Sequence, residues 1–329
     1  ANAKFDAAQS KTRATSTNWD VKALAVYDRK PAIEPKTIQV NRGVEFVPVS
    51  TQFQPQINAT LSMPDWTGIG KNLQHPEAQG GRPLQVRLGI DFGTAFTKVA
   101  LRVGPDLVVV NWSAVTGDVT PAGRWIVPGL VWRESDGEFG WQQAGNGAWQ
   151  GNLKLPLTEN PASAPFPCPS ATLAYLALVI RYARAFLYQY PEISRKLVNR
   201  SLRWELNLGC PTQPHENPEI VARFQHMART AWWLAGCDTL NEAGIHAAWN
   251  RRDLDTGLET DPGIVPEFVA QIAGYLQSPQ VNEGLHALID VGAATLDVAT
   301  FNVVKNRDQP DDPDWRIPIF FSEVKSLGT

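Results

Sequence analysis

The segment LGIDFGTAFTKVAL, residues 88–101, decides the fold of this chain. Apolar side chains alternate with polar or small ones on both sides of a short turn, with the period of two that a β-strand imposes. The pattern predicts a β-hairpin with one face in a core and Asp91 at its tip. On its own, the segment also fits a surface hairpin in which Asp91 and Gly93 only make the turn. The apolar residues of the predicted core face are Val86, Leu88, Ile90 and Phe92 before the turn and Val99, Leu101 and Val103 after it.

The same pattern returns in ALIDVGAATLDVATF, residues 287–301. Two apolar strands that end in Ile-Asp, each followed by a turn of small residues and a second strand, indicate an internal duplication. Aligning Asp91 with Asp290 also matches Ile90 with Ile289, Gly93 with Gly292, Ala95 with Ala294, Val99 with Val298 and Ala100 with Ala299.

A duplicated hairpin tip of this kind has a chemical use in phosphate binding. The N–H groups of a tight turn can surround phosphate oxygens, and Thr94 and Thr295 can add hydroxyl donors. The carboxylates of Asp91 and Asp290 cannot contact phosphate directly, so they would hold Mg²⁺ or its waters against it. Two such tips facing each other would clamp the phosphates of a nucleotide between two lobes.

These segments resemble the two phosphate loops of the superfamily that contains actin, the sugar kinases and the seventy-kilodalton heat-shock chaperones. GIDFGTAFTKVAL is most similar to the chaperone version, and LIDVGAATLDVATF is similar to its second loop with two glycines replaced by Ala293 and Ala294. The resemblance extends with gaps from about residue 86 to the end of the chain. It implies an α/β fold with actin-like (ribonuclease H-like) ATPase lobes, built from mixed sheets and flanking helices.

The two alanines of the second loop carry an expectation of their own. An L-residue held at positive φ costs about 1–2 kcal/mol. Either the backbone at Ala293 and Ala294 is not left-handed, or the nucleotide sits differently from the family pattern.

The resemblance implies roles for residues outside the loops. Lys154, in GNLKLPL, occupies the place of the chaperones' phosphate-contacting lysine. Glu267 lies in the first turn of a helix predicted to start at Pro266, and it matches a glutamate beside the attacking water. Asp297 matches an aspartate near the waters of the metal. The simpler interpretations are a solvated lysine, an acid favoured by the helix dipole and a solvated strand carboxylate.

Taken together, the resemblance implies binding of ATP or ADP with Mg²⁺ and hydrolysis of ATP. The implied catalytic residues are Lys154, Glu267 and Asp290. Those implied to bind the nucleotide are Asp91, Gly93, Thr94, Ala95, Gly292, Ala293, Ala294 and Thr295, and those implied to hold the metal through waters are Asp91, Asp290 and Asp297. One alternative is an actin-like or degenerate scaffold in which nucleotide controls assembly or partner docking. A sugar kinase is a further alternative, but no separate sugar-binding acid is identified.

The chain of 329 residues exceeds the usual single-domain size of about 100–200 residues. Residues 1–84, rich in Pro, Gln, Asn and Thr, are expected to form an extended arm that packs on the body. Residues 85–262 are expected to form the first lobe, and residues 263–329 the start of an incomplete second lobe. On this interpretation the chain is a piece of a longer polypeptide, and the remainder would carry any site for a client or partner protein.

Composition excludes several other classes. A formal net charge of −3 gives no footprint for nucleic acid. The longest apolar run, LAYLALVI, is interrupted by arginines too soon to span a bilayer. Cys168, Cys210 and Cys237 form no CxxC pair, which argues against a disulfide framework, and their spacings to histidines match no zinc ligand set. GIGKN, residues 68–72, lacks the first glycine and the hydroxyl residue of a P-loop. A reducing, cytoplasmic setting is expected.

Overall fold

The computed structural model describes residues 61–78, 80–158, 166–211, 217–293, 296–305 and 315–325. Over these residues the fold is mixed α/β, with mixed sheets and flanking helices. The strands are β1 (Leu84–Phe92), β2 (Phe96–Val103), β3 (Asp106–Val109), β4 (Val127–Pro128), β5 (Val131–Glu134), β6 (Phe139–Gly140), β7 (Gly147–Gln150), β8 (Leu202–Cys210), β9 (Gly263–Pro266), β10 (Gly284–Val291), β11 (Leu296–Lys305), β12 (Trp315–Arg316) and β13 (Ile319–Lys325). The α-helices are α1 (Ser113–Thr116), α2 (Leu155–Thr158), α3 (Ser170–Gln189), α4 (Pro191–Leu197), α5 (Pro218–Leu234), α6 (Glu242–Trp249) and α7 (Glu267–Leu276), and two short 3-10 helices span Asp65–Lys71 and Gly123–Trp125.

The first sheet has the strand order β3-β2-β1-β8-β9, with β4 beside β2. Strands β1, β2 and β3 form an antiparallel meander, whereas β8 is parallel to β1 and β9 is parallel to β8. The carboxyl ends of β1, β8 and β9 therefore lie at the same edge of the sheet. We call this edge, formed by Phe92, Cys210 and Pro266 and the residues that follow them, the carboxyl edge.

Helix α3 forms the centre of the first core. The apolar face predicted for β1 is buried, since Val86, Leu88, Ile90 and Phe92 are 0–4% exposed. Phe92 contacts Tyr175 of α3 with ring centroids 6.0 Å apart. By length and composition α3 could cross a membrane, but 83% of its apolar window is buried inside the protein, so packing in the core accounts for its composition.

The segment predicted to be an extended arm contributes to this core. Residues 1–60 lie outside the described residues, but Leu61 is 1% exposed and the 3-10 helix Asp65–Lys71 packs on α3. This part of the chain therefore packs on the first core through Leu61 and the 3-10 helix. The predicted boundary between arm and body at residue 84 stays a prediction.

Gly70 allows this 3-10 helix to approach α3 closely. A Cβ at Gly70 would lie 1.9 Å from the Arg181 carbonyl oxygen, whereas one at Gly68 would meet nothing within 4 Å. We expect Gly70→Ala to lower the free energy of unfolding by about 2–3 kcal/mol, because backbone must move to relieve the overlap. Gly68→Ala, the matched control, should stay within about 0.5 kcal/mol of the parent in urea denaturation. Equal stabilities for the two variants would contradict this packing.

The second hairpin, β10 and β11, repeats the pairing of the first. Ile90 lies opposite Val99 and Asp91 opposite Lys98, and at the aligned positions Ile289 lies opposite Val298 and Asp290 opposite Asp297. Strand β13 then pairs antiparallel with β11, as β3 pairs with β2. The duplication inferred from the two sequence segments thus extends to the same register and to a third strand.

The second sheet is covered on one face. Helix α7 places Phe268 and Ile272 against Ala299, Phe301 and Val303 in a small second core. On the opposite face Leu285, Ile289 and Val291 are 60–73% exposed. These three residues align with Val86, Ile90 and Phe92, so the face that forms the core in the first hairpin is open to solvent in the second.

Strand β9 pairs with β8 through residues 263–266, so these residues belong to the first sheet. Helix α7 and the second sheet follow Pro266 along the chain. The predicted division into two lobes between residues 262 and 263 stays a prediction.

Candidate functional site

Asp91 lies at the carboxyl edge, at the end of β1. Its side chain is 54% exposed and its carboxylate is 3.4 Å from the Lys98 ammonium across the hairpin. Lys98 was not among the predicted site residues, although its position seven residues after Asp91 in a tight hairpin places it opposite. The Asp91 charge is therefore partly balanced within the first hairpin, and it remains accessible to solvent.

The turn at this tip depends on close backbone packing. The Gly93 N–H donates to the Phe96 carbonyl at 3.1 Å, and a Cβ at Gly93 would lie 2.4 Å from that oxygen. Gly93 is therefore required by a close approach and not by a positive φ. Its amide closes the turn, whereas the N–H groups of Thr94 and Ala95 donate no hydrogen bond within the described part of the chain. The amides that could receive phosphate are those of Thr94 and Ala95.

Gly129, which the sequence patterns did not indicate, supports the tip from behind. Its N–H donates to the Ala95 carbonyl at 2.8 Å, and a Cβ there would come within 3.0 Å of the Thr94 carbonyl oxygen. The signal available in the sequence was the Pro128-Gly129 pair, which is typical of a turn. A side chain at position 129 would displace the loop that Thr94 and Ala95 form.

Lys154 and Glu267 form a buried ion pair. The Lys154 Nζ is 2.5 Å from Glu267 Oε1, and the two side chains are 8% and 17% exposed. Leu153, directly before Lys154, and Leu157, in α2, are both buried in the first core. Lys154 is buried because these two neighbours anchor its segment in the core. Glu267 is the first residue of α7, immediately after β9. The solvated-lysine interpretation of Lys154 is therefore wrong, and the dipole explanation of Glu267 is incomplete.

The electrostatic surroundings of Glu267 connect it with the two aspartates. Burial raises the pKa of the Glu267 carboxyl above its ordinary value, and the neighbouring Lys154 ammonium opposes this change. The negative charges of Asp91 and Asp297 raise the pKa of Glu267 further. The charges of Asp91 and Asp297 thus act on Glu267, and this carboxyl holds its proton more tightly than it would in water.

The second tip lies beside α7. Asp290 Oδ2 accepts a hydrogen bond of 2.5 Å from the Gln271 side-chain amide. Asp297, directly opposite Asp290, is 8% exposed, so the interpretation as a solvated strand carboxylate is wrong. Gly292 and Ala293 follow β10, and Ala293 is not at positive φ. Ala294 and Thr295 lie outside the described residues.

Among the described residues, the two hairpin tips and the Lys154–Glu267 pair together carry more negative than positive charge. When all are ionised, they comprise four carboxylates and two ammonium groups, a surplus of two negative charges. The acidic residues are Asp91, Glu267, Asp290 and Asp297, and the basic residues are Lys98 and Lys154. Such a surplus suits a divalent cation or a cation that arrives with a polyanion.

The resemblance implies Mg²⁺ held through waters, and the carboxylates at the two hairpin tips are oxygen ligands of the type that this ion uses. Among the described residues, no group of three or more His, Cys, Asp or Glu side chains is arranged to hold a metal ion. Mg²⁺ commonly keeps several waters and uses one or two carboxylates together with substrate phosphates. Asp91, Asp290 and Asp297 supply carboxylates of this kind from two hairpins.

Comparisons with known proteins do not identify a family for this chain. No protein-family model matches it, and no curated protein matches it. Function is therefore inferred from the geometry of the carboxyl edge and from the duplicated hairpins.

Proposed function

We propose that this chain is an ATP-binding, Mg²⁺-dependent ATP-hydrolysing module of a cytoplasmic heat-shock-chaperone-like protein, with actin-like (ribonuclease H-like) lobes. The strongest support is the meeting of the carboxyl edge with the second hairpin. Asp91 is the second-last residue of β1 and Glu267 follows β9, which run parallel in one sheet, and ligands of α/β proteins bind at the carboxyl ends of such strands. The negative charges of Asp91 and Asp297 both raise the pKa of Glu267.

The strand order adds support for the lobes. An antiparallel meander followed by two parallel strands forms the first sheet, and the meander recurs as β10, β11 and β13. This repetition is what two related lobes facing a common ligand would have. The ligand would lie between two hairpin tips that carry Asp91 and Asp290 at equivalent positions.

In this proposal each residue of the site has a separate chemical role. The amides of Thr94 and Ala95 donate to phosphate oxygens, and Lys154 leaves Glu267 to neutralise the terminal phosphate. Glu267, released from Lys154, orients the attacking water through its carboxylate. Asp91, Asp290 and Asp297 would hold Mg²⁺ through waters, and the bound metal would neutralise charge that develops between the β- and γ-phosphates.

Equilibrium titration of the natural full-length protein with ATP, with and without Mg²⁺, tests this proposal. We expect saturable binding that weakens at least about tenfold when Mg²⁺ is removed, because the surplus carboxylates then repel the phosphates. Release of inorganic phosphate in the same samples measures hydrolysis. A full-length protein with no affinity for ATP or ADP would overturn the proposal.

A non-hydrolysing scaffold is the second candidate, and a specific contact favours it. The lysine that would contact phosphate is already occupied by Glu267 in a buried pair, so nucleotide must displace a strong partner. In such a protein nucleotide would control assembly or docking of a partner protein without being hydrolysed. Nucleotide binding without phosphate release would support this candidate, and turnover that requires a sugar would indicate a sugar kinase.

A further inference from the structure

Gln271 has a defined place beside the second tip that the sequence patterns did not assign. Its side-chain amide donates to Asp290 Oδ2 at 2.5 Å, although Gln271 itself is exposed. Ordering an exposed, flexible side chain costs conformational entropy, so a long polar residue held on one carboxylate oxygen requires an explanation.

The position of Gln271 on α7 relates it to the buried ion pair. Gln271 follows Glu267 by four residues, and side chains at this spacing leave a helix on the same face. Glu267 contacts Lys154, and Gln271 contacts Asp290. On one face of α7, Glu267 in the first turn therefore contacts Lys154, and Gln271 in the next turn contacts the second hairpin.

Asp290 has a particular need for an orienting partner. It lies directly opposite Asp297 in the antiparallel pair, and side chains of opposed residues lie on the same face, with Cβ atoms about 4.5–5.5 Å apart. Two like charges at this separation repel each other and rotate apart unless one is held. The Gln271 amide fixes Oδ2 of Asp290 and leaves the second oxygen of that carboxylate available.

The chemistry of an amide matters here. An amide is neutral, so it orients the carboxylate without cancelling the negative charge that would attract a cation. A lysine ammonium could make the same hydrogen bond, but its positive charge would compete with the cation. A glutamine at this position can therefore orient the Asp290 carboxylate without neutralising its charge, which a lysine could not do.

We infer that Gln271 is a positioning residue for Asp290, holding that carboxylate in the orientation in which it binds the water shell of a divalent cation. The inference rests on the proposed function of the carboxyl edge. Gln271 acts through Asp290 and does not itself contact the nucleotide.

The test compares Gln271→Ala and Gln271→Lys with the parent in the natural full-length protein. Gln277→Ala serves as the matched control, because Gln277 is an exposed glutamine at the end of the same helix. The first measurement is Mn²⁺ affinity in the presence of ADP, followed by electron paramagnetic resonance of free Mn²⁺. The second is the melting temperature without metal or nucleotide.

We expect Mn²⁺ affinity and melting temperature to rank the variants in different orders. Mn²⁺ affinity should fall about threefold to tenfold in Gln271→Ala and further in Gln271→Lys, because lysine adds a competing charge. The melting temperature should follow another order, with Gln271→Lys at least as stable as Gln271→Ala, because lysine still pairs with Asp290. Gln277→Ala should match the parent in both.

The outcomes separate this inference from the proposed function. A parent that binds no Mn²⁺ with ADP would overturn the proposed function, and this inference with it. A parent that binds, together with Gln271 variants of unchanged Mn²⁺ affinity, would overturn this inference alone. Affinities that simply follow the order of melting temperatures would also overturn it, since they would indicate a structural contact only.

Discussion

Asp91→Asn and Asp290→Asn are each expected to reduce ATP hydrolysis by at least about a hundredfold while the melting temperature stays close to that of the parent. Asp91 is 54% exposed, and Asp290 is half-buried and bonded to the exposed side chain of Gln271, so core packing does not depend on either charge. Removing either charge weakens the placement of the metal, on which the proposed chemistry depends. Phosphate release and thermal melting of the full-length variants measure the two effects.

The control for this prediction is Asp106→Asn. Asp106 is the first residue of β3 and pairs with Lys196 at 2.6 Å, so it resembles Asp91 in being a strand carboxylate with a lysine partner. It lies outside the carboxyl edge, and its variant should hydrolyse ATP at the parent rate. If Asp91→Asn and Asp290→Asn also melt normally and hydrolyse at that rate, both residues only make turns, since Asn serves there almost as well as Asp.

Lys154→Met is expected to lower the free energy of unfolding by about 3–5 kcal/mol at neutral pH. The variant leaves the Glu267 carboxylate buried without a cation and close to Asp91 and Asp297, whose charges disfavour its ionised form. Met fills much of the volume of the lysine stem, so the loss reports the charge rather than a cavity. Urea denaturation at several pH values measures it.

The pH dependence of this loss has a defined sign. The pKa of Glu267 in the folded protein lies above its ordinary value of 4.5, so the folded state holds this proton more tightly than the unfolded state. The contribution of Glu267 to the free energy of unfolding is therefore fully present below pH 4.5. It is lost as the pH rises through the raised pKa of the folded state. Lys154→Met removes the opposing ammonium, so its deficit should shrink in acid.

Glu267→Gln supplies the control and the rescue. Gln replaces the carboxylate by a neutral group of the same shape, and the Lys154 ammonium keeps the nearby negative charges of Asp91 and Asp297, so the single variant should lose less stability than Lys154→Met. The double variant Lys154→Met/Glu267→Gln should recover most of the loss, because no buried charge remains unpaired. A double variant as unstable as Lys154→Met would mean that the lysine stabilises the fold by packing and not by pairing with Glu267.

Local patterns in the sequence were sufficient for the elements that carry the site. The period of two and the small-residue turns predicted both hairpins, because strand alternation and turn geometry are properties of a few neighbouring residues. Asn217-Pro218-Glu219 is a helix-start pattern of the same local kind, and α5 begins there with the Asn217 side chain accepting from the Glu219 N–H at 2.9 Å. The equal registers of the two hairpins followed from the duplication of the sequence.

Contacts between distant segments were decided only by the tertiary structure. Lys154 and Glu267 are 113 residues apart, and their pairing depends on Leu153 and Leu157 entering one core while β9 delivers α7 to the carboxyl edge. The burial of Asp297 and the bond from Gln271 to Asp290 arise in the same way. A residue's type and spacing report the conformation of its own segment. The charge or dipole that it meets across the sheet is set by packing between elements, because electrostatic and hydrogen-bond energies depend on distances in space that no local period encodes.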